Sequence, residues 1–271
     1  MRWNRWSVAG LLLLAALRAQ AQELFVFSEP ASNMPAHSLG LRASNWLMDE
    51  RNSATINYHL IPELMWGVNK KFMMHTEAFL SNRDKDFSAE GAGLYAKYRF
   101  YSKDEVHRHF RMAVFGRLSS NNGDIHQEEI ETNGHNTGYE LGGIATGLLH
   151  KQAISLTVSY ERALDNFKGH EFPVFQADRA INYSLSTGRL ILPKHYNSYR
   201  QTNLNLMVEA IGQWHPQTGK SFADLTASVQ LIFNSQTRLD IAYKKELYSN
   251  MLRTAPDGWL LRVEHLLFNV L

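Results

Sequence analysis

The sequence predicts an all-β fold, a transmembrane antiparallel up-and-down β-barrel of about 12 strands. Three observations predict it: apolar and polar residues alternate with a period of two, an export signal precedes them, and the connections between alternating runs sort by length. Successive side chains of a strand point to opposite faces, so alternation means one apolar and one wet face. The pattern is clearest over residues 55–82, where Ile56, Tyr58, Leu60, Leu64, Trp66 and Val68 share one parity and Thr55, His59 and Glu63 the other. A polar turn at Asn69, Lys70 and Lys71 follows. Phe72, Met74, Thr76, Ala78 and Leu80 then resume the apolar parity, opposite His75 and Glu77. Two alternating strands of about ten residues around so short a turn make a membrane hairpin.

The chain opens with Arg2 and Arg5, an apolar run over residues 8–17, and Ala19-Gln20-Ala21. This is the layout of a signal peptide spanning 1–21 and cut after Ala21. The apolar run is too short for a membrane anchor. The chain has 28 Lys+Arg and 26 Asp+Glu; removal of Arg2, Arg5 and Arg18 leaves 25 against 26, a net charge near −1. Nucleic-acid binding gets no support from that balance. There is no cysteine, hence no disulfide framework and no lipidated Cys anchor.

Residues 22–37, with Pro30 and Pro35, read as a periplasmic lead-in or an inserted plug segment, and 38–271 as the barrel. The first strand runs over 38–47, and the hairpin above gives the second and third. Ala92, Leu94, Ala96, Tyr98 and Phe100 then alternate with Lys97 and Arg99, and a charged turn is expected at 102–109. Phe110, Met112, Val114, Gly116 and Leu118 oppose Arg111 and Arg117; a long polar loop covers 119–138. Residues 139–149 are a Gly-rich strand of unassigned parity. Ile154, Leu156, Val158 and Tyr160 oppose Ser155, Thr157, Ser159 and Glu161 before a second long loop over 164–179. Ile181, Tyr183 and Leu185 form the next apolar face, with a phase slip at Gly188 read as a bulge. Leu204, Leu206, Val208, Ala210 and Trp214 oppose Asn203, Asn205, Glu209 and Gln213. Leu225, Ala227, Val229, Leu231 and Phe233 oppose Asp224, Thr226, Ser228 and Gln230. Leu239, Ile241 and Tyr243 oppose Asp240, Lys244 and Glu246, and Trp259, Leu261, Val263 and Leu267 oppose Arg262 and Glu264.

An even strand number brings both ends of the barrel to the periplasmic side. The turns at Asn69, Ser102, His150, Pro193 and Asn234 are then periplasmic, and both longest connections are extracellular, the asymmetry expected of such barrels. Trp46, Trp66, Trp214, Trp259, Tyr98, Phe100 and Phe233 sit near strand ends, where interfacial girdles form.

The stretch PELMWGVNKKFMMHTEAF resembles hairpins of Gram-negative outer-membrane barrels. It is most similar to the transporter barrels of the phenol meta-cleavage pathway type, with Glu63, Trp66 and Gly67 matching a Glu-x-x-aromatic-Gly signature. The C-terminal strand is similar to the terminal assembly strand of such barrels but ends in Leu271 instead of an aromatic residue. The resemblance implies membrane passage of small compounds and places the protein in the bacterial outer membrane. Its expected partners are outer-membrane lipid, the barrel assembly machinery and an unidentified small-molecule solute.

The wet parity supplies the candidate site. Glu63, Glu77, Lys97, Arg99, Arg111, Arg117, Glu161, Glu209, Asp224, Asp240, Lys244, Arg262 and Glu264 are expected to line the lumen. A charge facing lipid at mid-depth costs about 2–4 kcal/mol, so these groups must turn inward. They either line a polar channel or pair to fill a small barrel, and a barrel of about twelve strands lies between the filled and the open sizes. The channel is the expectation taken. No cofactor is expected. His107, His109, His126, His135 and His170 match no metal motif, so no metal site is assigned. Met65, Met73 and Met74 near His59 and His75 are the one arrangement suited to copper. Ser119 to Gly123 resembles the Ser-Asn-Gly stretch of outer-membrane phospholipases but lacks the His two residues before the Ser, so no activated nucleophile is expected. A channel for passive movement of small solutes is therefore expected, and not an enzyme. The alternatives are a closed barrel for binding or envelope structure, and a lipid-modifying enzyme.

Overall fold

A computed structural model describes residues 25–51, 56–83, 86–105, 108–194, 198 and 200–270. The expected signal peptide and its cleavage at Ala21 lie outside the described residues. The chain forms twelve strands: β1 (Ser38–Asp49), β2 (Ile56–Gly67), β3 (Phe72–Ser81), β4 (Ser88–Glu105), β5 (Arg108–Asn121) and β6 (Gly138–Leu149), followed by β7 (Gln152–Ala163), β8 (Arg179–Leu192), β9 (Asn203–Trp214), β10 (Ser221–Phe233), β11 (Thr237–Ser249) and β12 (Asp257–Leu267). Each pairs antiparallel with its sequence neighbours, and β1 pairs with β12, so the sheet closes with no free edge. This is the all-β up-and-down barrel expected from the alternation.

The outward parity is a continuous apolar belt. Leu206, Val229, Ile241 and Leu261 lie side by side across β9 to β12, and Leu156 faces Leu185 across β7 and β8. All are exposed, and Leu118 on β5 is 60 % exposed. A water-soluble monomer rarely exposes contiguous apolar area beyond a few hundred Å². The polar parity is buried inside, where Ser44, Lys97, Thr146, Ser186, Glu209 and Gln230 are nearly or fully inaccessible. The two longest connections, 122–137 and 164–178, leave the same end of the barrel.

Several local expectations change. β4 and β5 run on to Glu105 and from Arg108, through the stretch expected to be a turn. Cross-strand charge holds that extension together: Asp104 lies opposite His109 and accepts from Arg111 Nε at 3.0 Å. The register slip of β8 falls between Leu190 and Leu192, whereas Gly188 pairs regularly with both neighbours. Gly188 instead makes room inside: a Cβ there would lie 2.8 Å from Met207 Cγ and 3.5 Å from Phe25 Cε1. Trp46 is no girdle residue; its ring faces the interior and meets Phe27 edge-on with centroids 5.2 Å apart. The undecided parity of β6 resolves with Glu140 and Thr146 inward, since both bond interior groups.

Residues 25–37 run inside the barrel. Phe25 and Val26 pack with Leu148, Met207 and Leu260 from separate strands, and Met34 packs with Met65, Met73 and Leu266. At Gly67 this segment lies tight against the wall backbone. His37 N donates to Gly67 O at 2.6 Å, and a Cβ on Gly67 would collide with Pro35 O. Gly67→Val is therefore expected to cost about 1–3 kcal/mol, as overpacking does. Gly143→Ala, on the outer face with nothing within 4 Å of a new Cβ, is expected to be neutral. The transition temperature of the heat-modifiable gel band measures both.

Candidate functional site: the barrel interior

Interior charge is arranged around two segments that are neither strand nor helix. The first is residues 25–37. Backbone carried inside a barrel must find hydrogen-bond partners there, because water is displaced. Glu209 on β9 supplies them for three consecutive donors: its carboxylate accepts from the backbone N of Val26, Phe27 and Ser28, each at 2.9 Å. Its Oε2 also accepts from the hydroxyls of Ser28 at 2.7 Å and Ser186 at 2.9 Å. The carbonyls are served by cations. Lys97 Nζ donates to Pro30 O at 2.7 Å and Ser32 O at 2.9 Å, and Arg262 Nη1 donates to Val26 O at 2.5 Å. Arg111 donates to Ser32 Oγ at 2.8 Å and Thr146 Oγ1 accepts from Ala31 N at 2.9 Å.

Glu29 ties this segment to a larger charge network. Arg42 Nη1 contacts Glu29 at 2.9 Å and Glu63 at 3.2 Å, while its Nε donates to Glu264 at 2.8 Å. Arg238 lies 2.9 Å from Glu264 and 3.0 Å from Asp240, which accepts from Gln230 Nε2 at 2.9 Å. Arg117 sits between Glu77 at 3.6 Å and Glu140 at 3.7 Å.

The second segment is the 122–137 loop. Ile130 N donates to Gln213 Oε1 at 3.0 Å, and Gln213 Nε2 returns a bond to Ile130 O at 2.7 Å. Glu161 Oε1 accepts from both N and Oγ1 of Thr132 at 2.7 Å. Arg253, from the 250–256 loop, is fully buried. It donates bidentately to Asp224 at 2.7 Å, to Glu129 at 2.7 and 3.1 Å and to Glu246 at 3.0 Å, over the Phe222 ring. His135 bonds Glu131 at 2.8 Å and brings its Nε2 to 3.4 Å from Nε2 of His59 on the wall. A cavity of about 50 Å³ beside this pair is lined by Trp46, Asn57, Arg83, Glu129 and Lys244, among others.

Twelve of the thirteen charged residues singled out from the sequence lie in these networks. Lys244 is 4.0 Å from Asp224 and over the Trp46 ring. Arg99 stands apart: just before a register shift in β4, its Nη2 donates to Lys70 O in the β2–β3 turn. Ser119 Oγ donates to Asn136 O at 2.6 Å, serving to hold the loop. Sequence reasoning missed Glu29, Arg42, Glu140 and Arg253. Arg42 had a signal in strand parity, read from its neighbours; Glu140 lies on the Gly-rich strand that gave no parity, and Glu29 and Arg253 lie in aperiodic stretches with none.

No protein-family model matches the chain, and no curated protein matches its sequence. Among solved structures it is similar to the COG4313 outer membrane channel from Pseudomonas putida F1, with a TM-score of 0.56, 12 % identity, and 89 % of this chain covering 99 % of that one. It also matches OccK5 (OpdH) of Pseudomonas aeruginosa at a TM-score of 0.40 and 12 % identity, covering 83 % of this chain and 62 % of that one. The first of these likenesses shows a shared fold, a closed antiparallel barrel.

Acid should release the 122–137 loop. Burial pushes Glu128, Glu129 and Glu131 up, but Lys220, Arg253 and His135 respectively more than offset it and hold all three below the ordinary carboxylate value, Glu131 at about 2. A depressed carboxylate contributes stability that is complete above its unfolded pKa, about 4.3, and lost as pH falls through the folded one. Pepsin is expected to spare the loop at pH 4.5 and to cut within 122–137 at pH 2, read by mass spectrometry.

Proposed function

We propose that this chain is an outer-membrane channel for passive movement of small solutes, narrowed by residues 25–37 and by the 122–137 loop. The observation that carries the reading is how the first segment is held. Interior charges bond its backbone, at Glu209, Lys97 and Arg262, and these are contacts that water can replace. A solute path opens when the segment leaves, exposing a wall that carries both signs of charge. The export signal, the apolar belt and the fold likeness support the outer membrane as location. Membrane lipid would then cover the belt, and the barrel assembly machinery would insert the chain. Residues 1–21 are the cleaved signal in this reading.

A closed barrel for binding or envelope structure is the second reading. The apolar seating of Phe25 and Val26 against Leu148, Met207 and Leu260 favours it, because such packing resists exchange with water.

Planar-bilayer recording of the refolded mature protein separates the two. Glu209→Ala leaves the backbone donors of residues 26–28 without their acceptor. An unmet buried donor costs about 1–3 kcal/mol, so the closed–open balance should shift by roughly tenfold or more toward open. Rare brief openings in the wild type and frequent ones in Glu209→Ala are the expected result. Silent membranes with both proteins, each shown to be folded by heat-modifiability, would leave the closed barrel standing.

A further inference from the structure

Among the described residues, one trio of metal-ligating side chains comes together: Glu63, His75 and Glu77, whose donor atoms all lie within 4.8 Å of one another. The strand pairing makes the cluster. Glu63 faces Glu77 across β2 and β3, and His75 precedes Glu77 by two positions, so all three project from one face of the hairpin. His75 is 1 % exposed and Glu77 5 % exposed.

Within the cluster His75 Nδ1 lies 3.4 Å from Glu63 Oε2, and Glu77 is the member left short of partners. Glu63 and Glu77 are brought together in a dry interior, where like charges need a compensating positive charge or a proton. Glu63 has Arg42 at 3.2 Å, whereas Glu77 has Arg117 only at 3.6 Å, beyond a good hydrogen bond. In addition, His75 Nε2 and Glu77 Oε2 are buried without any hydrogen-bond partner. Native interiors leave few such atoms, and each calls for an explanation, a water or an ion among them. The hydroxyl of Tyr95, whose ring lies 5.1 Å from that of His75, is likewise unpartnered.

We propose that Glu63, His75 and Glu77 bind one divalent first-row transition ion, with Zn²⁺ the best match. Two carboxylates and an imidazole are a three-ligand zinc set, with water for the fourth position. An imidazole and so few oxygens do not suit Ca²⁺ or Mg²⁺. The donors must draw in to roughly 3.3 Å from one another to share an ion at about 2.0–2.1 Å. Glu77 is the arm free to move, because Oε2 has no bond to break. The ion supplies the charge Glu77 lacks, and it ties β2 to β3 beneath the inserted segment. Its burial means that it is taken up while the barrel folds.

The test is to refold the mature chain in detergent with Zn²⁺ or with a chelator, desalt it, and measure bound metal and the heat-modifiable transition. Close to one equivalent of zinc and a raised transition temperature are expected. Glu77→Gln and His75→Gln should each cut retained zinc by roughly tenfold or more and abolish the zinc-dependent shift. Background metal in the wild type, or undiminished zinc in both variants, overturns the site. So does a metal-free wild type that Glu77→Gln stabilises, which assigns the place to a shared proton. Should the variants not fold, X-ray absorption at the zinc edge of the wild type decides alone. One imidazole among oxygen neighbours supports the trio, and two or more imidazoles overturn it.

Discussion

Everything inside this barrel depends on one requirement: irregular backbone cannot be buried with its N–H and C=O groups unpaired. Residues 25–37 are neither helix nor strand, so the wall must satisfy them. Glu209 does so most efficiently, since one carboxylate accepts from three successive amides. Lys97 performs the reverse task for the carbonyls of Pro30 and Ser32. A neutral wall residue could take one such bond; an ionised one takes several, and charge-assisted bonds are roughly twice as strong. The inward charges are in this way the complement of a particular inserted backbone.

Burying so much charge is costly, and pairing only offsets the cost. Replacing a buried ion pair with well-packed apolar residues is often neutral or stabilising, while removing a single partner is strongly destabilising. The interior is built so that few single charges stand alone. Arg42 meets three carboxylates, and Arg253 meets three more from β10, β11 and the 122–137 loop. Such hubs make the inserted segments and the wall interdependent. Losing Arg253 would leave Asp224 only Lys244, 4.0 Å away, and remove one anchor of the loop at the same time, because the same guanidinium serves both.

The barrel was legible in the sequence because lipid imposes a simple rule on alternate residues. β7 shows it best: Ile154, Leu156 and Val158 are exposed, and Ser155, Ser159 and Glu161 are buried. The rule says which face a residue occupies but not what it meets there. β6 gave no parity because Gly142, Gly143 and Gly147 fall on both faces, which hid Glu140. Gly188 looked like a break in the alternation, when its missing side chain is what admits Met207 and Phe25. Trp46 fitted a girdle by position along its strand, yet it shares the inward parity of Arg42 and Ser44 and meets Phe27 inside. The partners of Glu209, Asp224 and Glu161 lie in aperiodic segments, where no periodicity records them.

The two ends of the inserted segment differ in kind. At residue 38 the chain passes directly into β1, whose Ser38 pairs with Gly67, and Met34 is packed among Met65, Met73 and Leu266. That end is held by covalent continuity and apolar contact. At residues 26–28 hydrogen bonding to Glu209, on the far side of the sheet order from β2, joins the apolar seating of Phe25 and Val26, with no covalent tie to a strand. In the proposed channel, opening would begin at the Glu209 end, because the other end of the segment runs directly into β1.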